Sequence, residues 1–528
     1  MERLAGRIML LGRARRACLA FLAGALGAFG LPPFGFFAVF FVSFPILVWL
    51  LDGIAGNPDR SHTLGLRSAF FIGWLFGFGY FTAGLWWIGN ALLFEADQFA
   101  WALPLAVLGL PAVLALFYGL ATMLARLFWS DGLSRIAALA AGFGLVEWLR
   151  SFVATGFPWN AIGYGAMPIP LMMQSAAPLG LFGVSTLAVL VFAMPALLGT
   201  RKGMVSGFAL AGLLIVAHLG YGALKLVEPL PAGGKTLTVR LVQPAIDEAR
   251  KLENSDRIEI FNHHLALSAQ PVEPGKPEPD IIVWPETSIP FILTDYPDAL
   301  ARIADVLKDG QVLVTGAVRA EEQGAGQPPR YYNSIYVIDD KGQIISASDK
   351  VHLTPFGEYV PYEGVLRRIG FDNLISLPGG FSPAAQRTLL SLPSGMGFYP
   401  LICYEAIFPD EIQIPSQANA IVNLTNDAWF GMTPGPYQHF LQARIRAVEA
   451  GLPLIRGANN GISALVDVRG RIISGLSLNA QGVVDATMDI IRVSKWNNSD
   501  RKLNFWLVML VVVLAALISR MGFIFRKN

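Results

Sequence analysis

Ala420-Ile421-Val422-Asn423-Leu424 is a run of strand formers with apolar side chains on both faces. A strand with one wet side would alternate; this run reads as one buried between helix layers. Working outward from it, short β-branched runs alternate with amphipathic segments from Thr236 onward. Strands are expected at 236–243, 280–285, 311–318, 334–339, 343–348, 398–403, 420–425, 454–457, 462–468 and 471–476. Helices are expected at 256–269, 298–309, 409–418 and 436–450. Runs 334–339 and 343–348 flank Asp340–Gly342 as the arms of an antiparallel hairpin would. The predicted product is an α/β sandwich with mixed sheets, and its length of about 260 residues is ample for a core of its own.

The remainder of the chain has a different composition. Hydrophobic residues make up 54% of the 528, and charged residues only 15%, where an ordinary soluble domain has about a quarter. The excess lies in 17–224 and 504–519, in stretches of roughly 17–25 residues, the length that crosses a bilayer. Eight spans are expected, at 17–31, 36–52, 68–92, 102–128, 136–151, 171–199, 204–223 and 504–520. Arg3, Arg7, Arg13, Arg15 and Arg16 precede the first. Arg60 and Arg67, Arg126 and Arg135, Arg201 and Lys202, and finally Arg520, Arg526 and Lys527 fall in alternate loops, while the third loop carries Glu95 and Asp97. Cationic loops stay cytoplasmic, so both termini are expected inside and residues 224–503 outside. No small-x-small cleavage site follows the first span, which argues against a cleaved signal peptide. The expected domains are 1–228, a membrane domain with seven helices; 229–499, the catalytic domain; and 500–528, an eighth transmembrane helix and cytoplasmic tail. The Pro- and Gly-rich stretch 229–235 reads as the linker.

Three reactive groups stand at predicted strand ends. Glu286 closes Trp284-Pro285-Glu286 after Ile281–Val283. Lys350 precedes His352-Leu353-Thr354-Pro355-Phe356-Gly357-Glu358. Cys403 ends Phe398–Ile402 and begins Cys403-Tyr404-Glu405. Proteins mount reacting groups where rigid elements give way to loops. A thiol is mostly protonated at neutral pH, so a desolvated Glu286 is the expected base as Cys403 attacks an acyl carbonyl. Lys350 is suited to the oxyanion, with the backbone N–H of Tyr404 beside it. Glu358 and Glu405 are the expected supporting carboxylates. The other cysteine, Cys18, is predicted on the opposite side of the bilayer, so no disulfide is expected.

These three motifs resemble the Glu-Lys-Cys signature of the nitrilase superfamily. Taken with the spans, the chain resembles the bacterial apolipoprotein N-acyltransferase family. Thr155-Gly156-Phe157-Pro158-Trp159, Asn426-Asp427-Ala428-Trp429-Phe430-Gly431, Gln438-His439 and Arg456-Gly457-x-Asn459-Asn460-Gly461 also fit that pattern. The resemblance implies a multi-span α-helical membrane domain joined to a nitrilase-like α-β-β-α sandwich in the bacterial inner membrane, with the catalytic domain periplasmic. It implies two transfers. An acyl chain passes from a phospholipid to Cys403 as a thioester, then to the terminal amine of a diacylglyceryl-cysteine apolipoprotein. Those two substrates and the bilayer are the implied partners, and the chain is expected to act as a monomer. One position departs: Leu252 stands where the family often has a tryptophan, which puts lipid contacts of that aromatic in doubt.

Pro355–Tyr362 and Trp429–Tyr437 are aromatic, Gly/Pro-rich candidate lids. Trp86, Trp87, Trp101 and Trp148 are expected at bilayer interfaces. Glu147 and Arg150 could meet a lipid head-group or each other. No metal or cofactor is inferred: there is no Cys-x-x-Cys or His-Glu-x-x-His, and no Gly-rich phosphate loop follows a strand. A net charge of +2 without a basic stripe argues against nucleic acid. Two other readings compete. A membrane-anchored amidase shares the triad but hardly needs seven preceding spans. A transporter would carry ionisable or helix-breaking sites at mid-membrane, and these spans are nearly free of charge.

Overall fold

The computed structural model describes residues 1–54, 62–94, 96–231, 234–248, 250, 256–324, 326–368, 380–493 and 495–524. Arg60, Glu95, Leu252, Arg526 and Lys527 lie outside them, as do Ala232 and Gly233 of the linker. The chain divides into two compact units. One comprises Met1–Glu228, Thr433–Leu441 and Trp496–Asn528; the other comprises Pro229–Met432 and Gln442–Lys495.

The first unit is helical. Its longer helices are Arg13–Gly27, Phe40–Asp52, His62–Leu85, Leu110–Leu127, Leu133–Arg150, Ala176–Ala193, Met204–Val227 and Asn498–Ile524. Among the described residues four helical stretches are long and apolar enough to cross a membrane: Gly65–Leu93, Ala96–Leu127, Ala176–Gly199 and Met204–Val227. A helix satisfies its own backbone, which hydrocarbon cannot do. Small residues let these helices close up. A Cβ on Gly24 would stand 1.8 Å from the Phe76 carbonyl oxygen, and one on Gly79 2.0 Å from that of Phe21. Helices Arg13–Gly27 and His62–Leu85 therefore meet backbone to backbone.

One of two alternatives for Glu147 and Arg150 is favoured, and one further expectation about this unit changes. Both residues are buried and interact electrostatically with each other, as the second alternative had it. Glu147 accepts from the Tyr118 hydroxyl at 3.0 Å and the Ile162 amide at 2.8 Å, while Arg150 donates to the Phe157 and Trp159 carbonyls. The two carboxylate and guanidinium ends thus hold the irregular stretch 157–162. Trp87 is buried as well, unlike exposed Trp86 and Trp101. Its indole donates to the Gly84 carbonyl and to Gln438, which also accepts from Trp159 at 2.9 Å. An indole has one donor, and a buried amide offers it a better partner than an interface does.

The second unit contains two six-stranded sheets. The strands are β1 (Lys235–Gln243), β2 (Ile281–Val283), β3 (Val312–Glu321), β4 (Arg330–Asp339), β5 (Ile344–Asp349), β6 (Leu390–Ser391), β7 (Gly397–Ile402), β8 (Ala418–Thr425), β9 (Leu454–Ala458), β10 (Ser463–Val466), β11 (Ile472–Leu476) and β12 (Gly482–Ile490). Their orders are β12-β1-β2-β3-β4-β5 and β11-β10-β9-β8-β7-β6. The centres, β1-β2-β3 and β7-β8-β9, are parallel, and the outer pairs are antiparallel. Leu241, Val283, Val314 and Val337 of one sheet share a core with Phe398, Ile402, Val422 and Ile455 of the other. The opposite face of the first sheet buries Ile282, Trp284 and Leu313 against Phe261 and Leu265 of helix Arg257–Ser268 and Ile303 of helix Pro297–Val306.

The predicted hairpin is present, with Ser334 opposite Asp349. The helix expected over 409–418 is not. A single 3₁₀ turn, Pro409–Glu411, gives way to extended chain, because Pro415 lacks an N–H and its ring bars Ile414 from the helical region. Strands β6 and β12 were not among the sequence expectations. β12 pairs antiparallel with β1 along its whole length, from Gly482 opposite Gln243 to Ile490 opposite Lys235. As an edge strand it carries Asp485, Thr487 and Asp489, so its hydrophobic signature is weak.

Candidate active site

Glu286, Lys350 and Cys403 each follow the last residue of a strand or lie within three residues of it: β2, β5 and β7 respectively. Parallel neighbours bring such ends to one edge of a sheet, and sheet-on-sheet packing brings the two edges together. The backbone around Glu286 lies against β3. Gly316 exchanges hydrogen bonds with Pro285 and Ser288, and a Cβ at 316 would stand 2.6 Å from the Glu286 Cα. Only glycine permits that approach.

All three side chains are buried: Lys350 is 1% exposed, Glu286 7% and Cys403 9%. Lys350 Nζ stands 2.7 Å from Glu358 Oε2, 3.8 Å from Glu286 Oε1 and 3.3 Å from Thr354 Oγ1. The cation is thus shared unequally between two carboxylates. Asn333 on β4 joins them, its Nδ2 donating to Glu286 Oε1 at 2.7 Å and to Glu358 Oε1 at 2.8 Å. The Asn426 amide donates to Glu286 Oε2 at 2.8 Å, and the Thr354 amide to Glu358 Oε2 at 2.7 Å.

That asymmetry sets the charges. Burial raises the Glu286 carboxyl above its ordinary value, with Glu358 adding to the rise against Lys350. Glu358 is also raised by burial, but Lys350 and its hydrogen bonds outweigh this and hold it below the usual value. Burial alone would lower Lys350, yet the Glu358 and Glu286 carboxylates keep it well above the ordinary lysine range. The Cys403 thiol is pushed well up by burial, then by Glu286, with Lys350 opposing. The site therefore holds a thiol, a firmly charged ammonium, a firmly charged Glu358 and a Glu286 biased toward accepting a proton.

Cys403 sits at φ +47°, in the left-handed region, where β7 turns into the 3₁₀ turn Cys403–Ile407. A non-glycine residue there carries backbone strain of about 1–3 kcal/mol that the surroundings must hold. Glu405 does much of the holding. Its carboxylate accepts from the amides of Ile402 (2.7 Å), Val351 (2.9 Å) and His352 (3.2 Å), and from Arg387 Nη2 (2.6 Å). Glu405 thus ties the chain after Lys350 to the turn bearing Cys403, without touching the side chain of Lys350 or Glu286. Tyr404 is buried, its ring 5.0 Å from Phe408 and 5.7 Å from His352. Asn333, Thr354, Arg387 and Asn426 were not among the expected site residues. A carboxamide within the buried run Tyr332–Ile338 of β4 is the one signal that could have singled out Asn333.

The other motif blocks have structural partners. Arg456 pairs with Asp427 at 2.8 Å, both fully buried. Among the described residues no group of three or more His, Cys, Asp or Glu side chains is arranged to hold a metal ion.

Residues 238–498 match the carbon-nitrogen hydrolase family, and residues 23–194 match the apolipoprotein N-acyltransferase N-terminal domain. A crystal structure of a carbon-nitrogen hydrolase from Helicobacter pylori G27 is 16% identical, covers 48% of this chain and 90% of its own, and superposes with a TM-score of 0.36. Two curated relatives are each aligned over 100% of both chains. The apolipoprotein N-acyltransferase of Allorhizobium ampelinum is 67% identical, and that of Agrobacterium fabrum is 64% identical. Similarity of that extent and degree means that this chain belongs to the apolipoprotein N-acyltransferase family.

Proposed function

We propose that this chain moves an acyl chain in two steps through Cys403. In the first, the Cys403 sulfur attacks the carbonyl of a phospholipid ester while Glu286 takes the thiol proton. The oxyanion is met by Lys350 and the Tyr404 backbone N–H. As it collapses, the ester C–O bond breaks and Glu286 returns the proton to the departing oxygen, leaving a lysophospholipid and an acyl-thioester. In the second, the α-amine of a diacylglyceryl-cysteine apolipoprotein attacks the thioester. Glu286 takes an amine proton and passes it to the departing sulfur, giving the amide and the free thiol.

The observation that carries this reading is the unequal sharing of Lys350, 2.7 Å from Glu358 and 3.8 Å from Glu286. Glu358 is committed to the cation, so Glu286 is the carboxylate available for proton transfer. Burial of the thiol keeps it protonated in the resting state, so a base acting in step with attack is needed. Ester to thioester is nearly balanced and thioester to amide strongly downhill, which fixes the order.

Both substrates are lipid-anchored, which supports eight spans with residues 1–228 and 500–528 in the membrane and cytoplasm. Residues 229–499 would then stand against the outer, periplasmic leaflet of the inner membrane. The Arg and Lys distribution favours the same orientation with both termini inside. The chain works as a monomer in this reading. In this reading Phe356 and Tyr362, 58% and 67% exposed, and exposed Trp429 would supply acyl-chain contacts from the candidate lids.

The test uses purified full-length protein with phospholipid labelled in its sn-1 chain. Acyl-Cys403 should accumulate and discharge only when a diacylglyceryl-cysteine peptide is added, giving labelled amide. Discharge to water without the peptide would make the chain an amidase-type hydrolase; no adduct at all would remove the acyl-enzyme.

A further inference from the structure

Glu248 lies five residues beyond the end of β1 and is buried, with 6% exposure. Its Oε2 accepts from Asn426 Nδ2 at 2.6 Å. The same Asn426 donates its backbone N–H to Glu286 Oε2, so two buried carboxyl groups accept from one asparagine. Asn426 has a third partner: its Oδ1 accepts from Asn459 Nδ2 at 3.1 Å. Asn459 in turn takes the Ile246 amide at 3.0 Å and donates to the Ile246 carbonyl at 2.8 Å. Its backbone closes the ring by accepting from Ala245 and donating to the Thr425 carbonyl. The chain ends after β1, β8 and β9 are thereby knotted around the base that follows β2. Asn426 and Asn459 are buried too, so each of these bonds is made away from water and is costly to lose.

We propose that Glu248 is a positioning residue for Glu286, acting through Asn426. Asn426 follows β8 directly and opens a 3₁₀ turn. Its amide would be free to rotate away from Glu286 were its side chain not held. Glu248 supplies the shortest of the three hydrogen bonds to Asn426, a carboxyl oxygen accepting at 2.6 Å. Its effect on chemistry is indirect: it keeps an N–H aimed at the carboxylate oxygen distal to Lys350, and a hydrogen bond to a carboxylate favours the ionised, proton-accepting form. The charged and titratable groups facing Glu286 are Lys350 and Glu358 from the segment after β5, and Cys403 after β7. Asp427 is engaged by Arg456.

The inference rests on the proposed role of Glu286 and is tested by single-turnover acylation of Cys403 in the full-length protein, with labelled phospholipid, across pH. E248L should slow acylation about tenfold, less than the ~10²-fold that a 1 Å misplacement costs. Its acid limb should move to higher pH, because losing the Asn426 hydrogen bond raises Glu286 further. N426A, which keeps the backbone N–H but loses its tether, should move the limb the same way, and it serves if E248L fails to fold. E248Q, whose side-chain carbonyl still accepts from Asn426, should return the limb to its wild-type position. An unmoved limb in either E248L or N426A overturns the proposal, as does an E248Q limb displaced as far as that of N426A. Wild-type protein that forms no acyl-Cys403 would instead sink the reading of the site itself.

Discussion

Two buried clusters of charge lie in the same α/β unit, and they are built differently. At Arg456 and Asp427 one cation meets one carboxylate at 2.8 Å with neither side chain exposed. Arg456 also donates to Asn423 Oδ1 and the Ile462 carbonyl, and the Thr425 hydroxyl donates to Asp427 Oδ1. A Cβ on Gly461 would stand 2.3 Å from Asp427 Oδ2, so even the packing is closed. At Lys350 one cation faces two carboxylates and a thiol, and its distances to the carboxylates differ by more than an ångström. The first arrangement is electrostatically complete and holds loops. The second leaves one carboxylate partly uncompensated, and an uncompensated buried carboxylate is a base. Local imbalance of charge, more than burial or pairing as such, separates the proposed reactive cluster from the Arg456–Asp427 pair.

The comparison breaks most sharply at the thiol. C403A should lower acyl transfer by about 10⁴-fold or more, the scale on which nucleophile deletions act, and leave thermal unfolding near wild type. Labelled amide formed at the normal rate would end the distinction. Next come the two cations. K350M should cost about 10²–10³-fold in acylation through the lost oxyanion contact. R456M should lower stability by about 3–5 kcal/mol, because it strands Asp427 as a buried charge as K350M strands Glu358, but with far less change in acylation rate per folded molecule. Denaturant unfolding and single-turnover acylation on both variants would show whether the two effects separate.

The smallest effect is the most discriminating. Glu286 must be ionised to act as base, and it is raised by burial and by Glu358, so acylation should fall with decreasing pH through a limb above the ordinary carboxylate range. E358Q removes the neighbouring negative charge and frees Lys350 for Glu286. Both changes favour the ionised base, so the limb should move to lower pH. Stability should respond in parallel. The Glu358 carboxyl is held below its usual value in the folded state, so its contribution is present above the unfolded value and lost as pH falls through the folded one. E358Q should lose that part of the acid dependence. A limb that rises in E358Q would mean that Glu358, and not Glu286, carries the proton.

How much of this was legible beforehand varies with the range of the interaction. The two-sheet unit could be read because β8 and its neighbours are apolar on both faces, and the candidate reactive groups because each stands beside a strand end. Edge strand β12 could not, since its alternation of Val, Asp, Thr and Met is that of a half-wet surface. The 409–418 helix was misread because the amphipathic pattern outweighed Pro415. Glu405 was expected as a supporting carboxylate, yet its bonds go to three backbone amides and to distant Arg387, which no local side-chain pattern reports.

Local order set most kinds of element and singled out Cys403, Glu286 and Lys350 as candidate nucleophile, base and cation, because hydrophobic period and strand-end placement are properties of a few adjacent residues. Which carboxylate keeps the lysine, and which asparagines hold the base, depends on groups up to 140 residues apart meeting at a sheet edge. Differences of about one ångström in a buried, poorly screened site decide those charges, and distances on that scale exist only once the two sheets have packed.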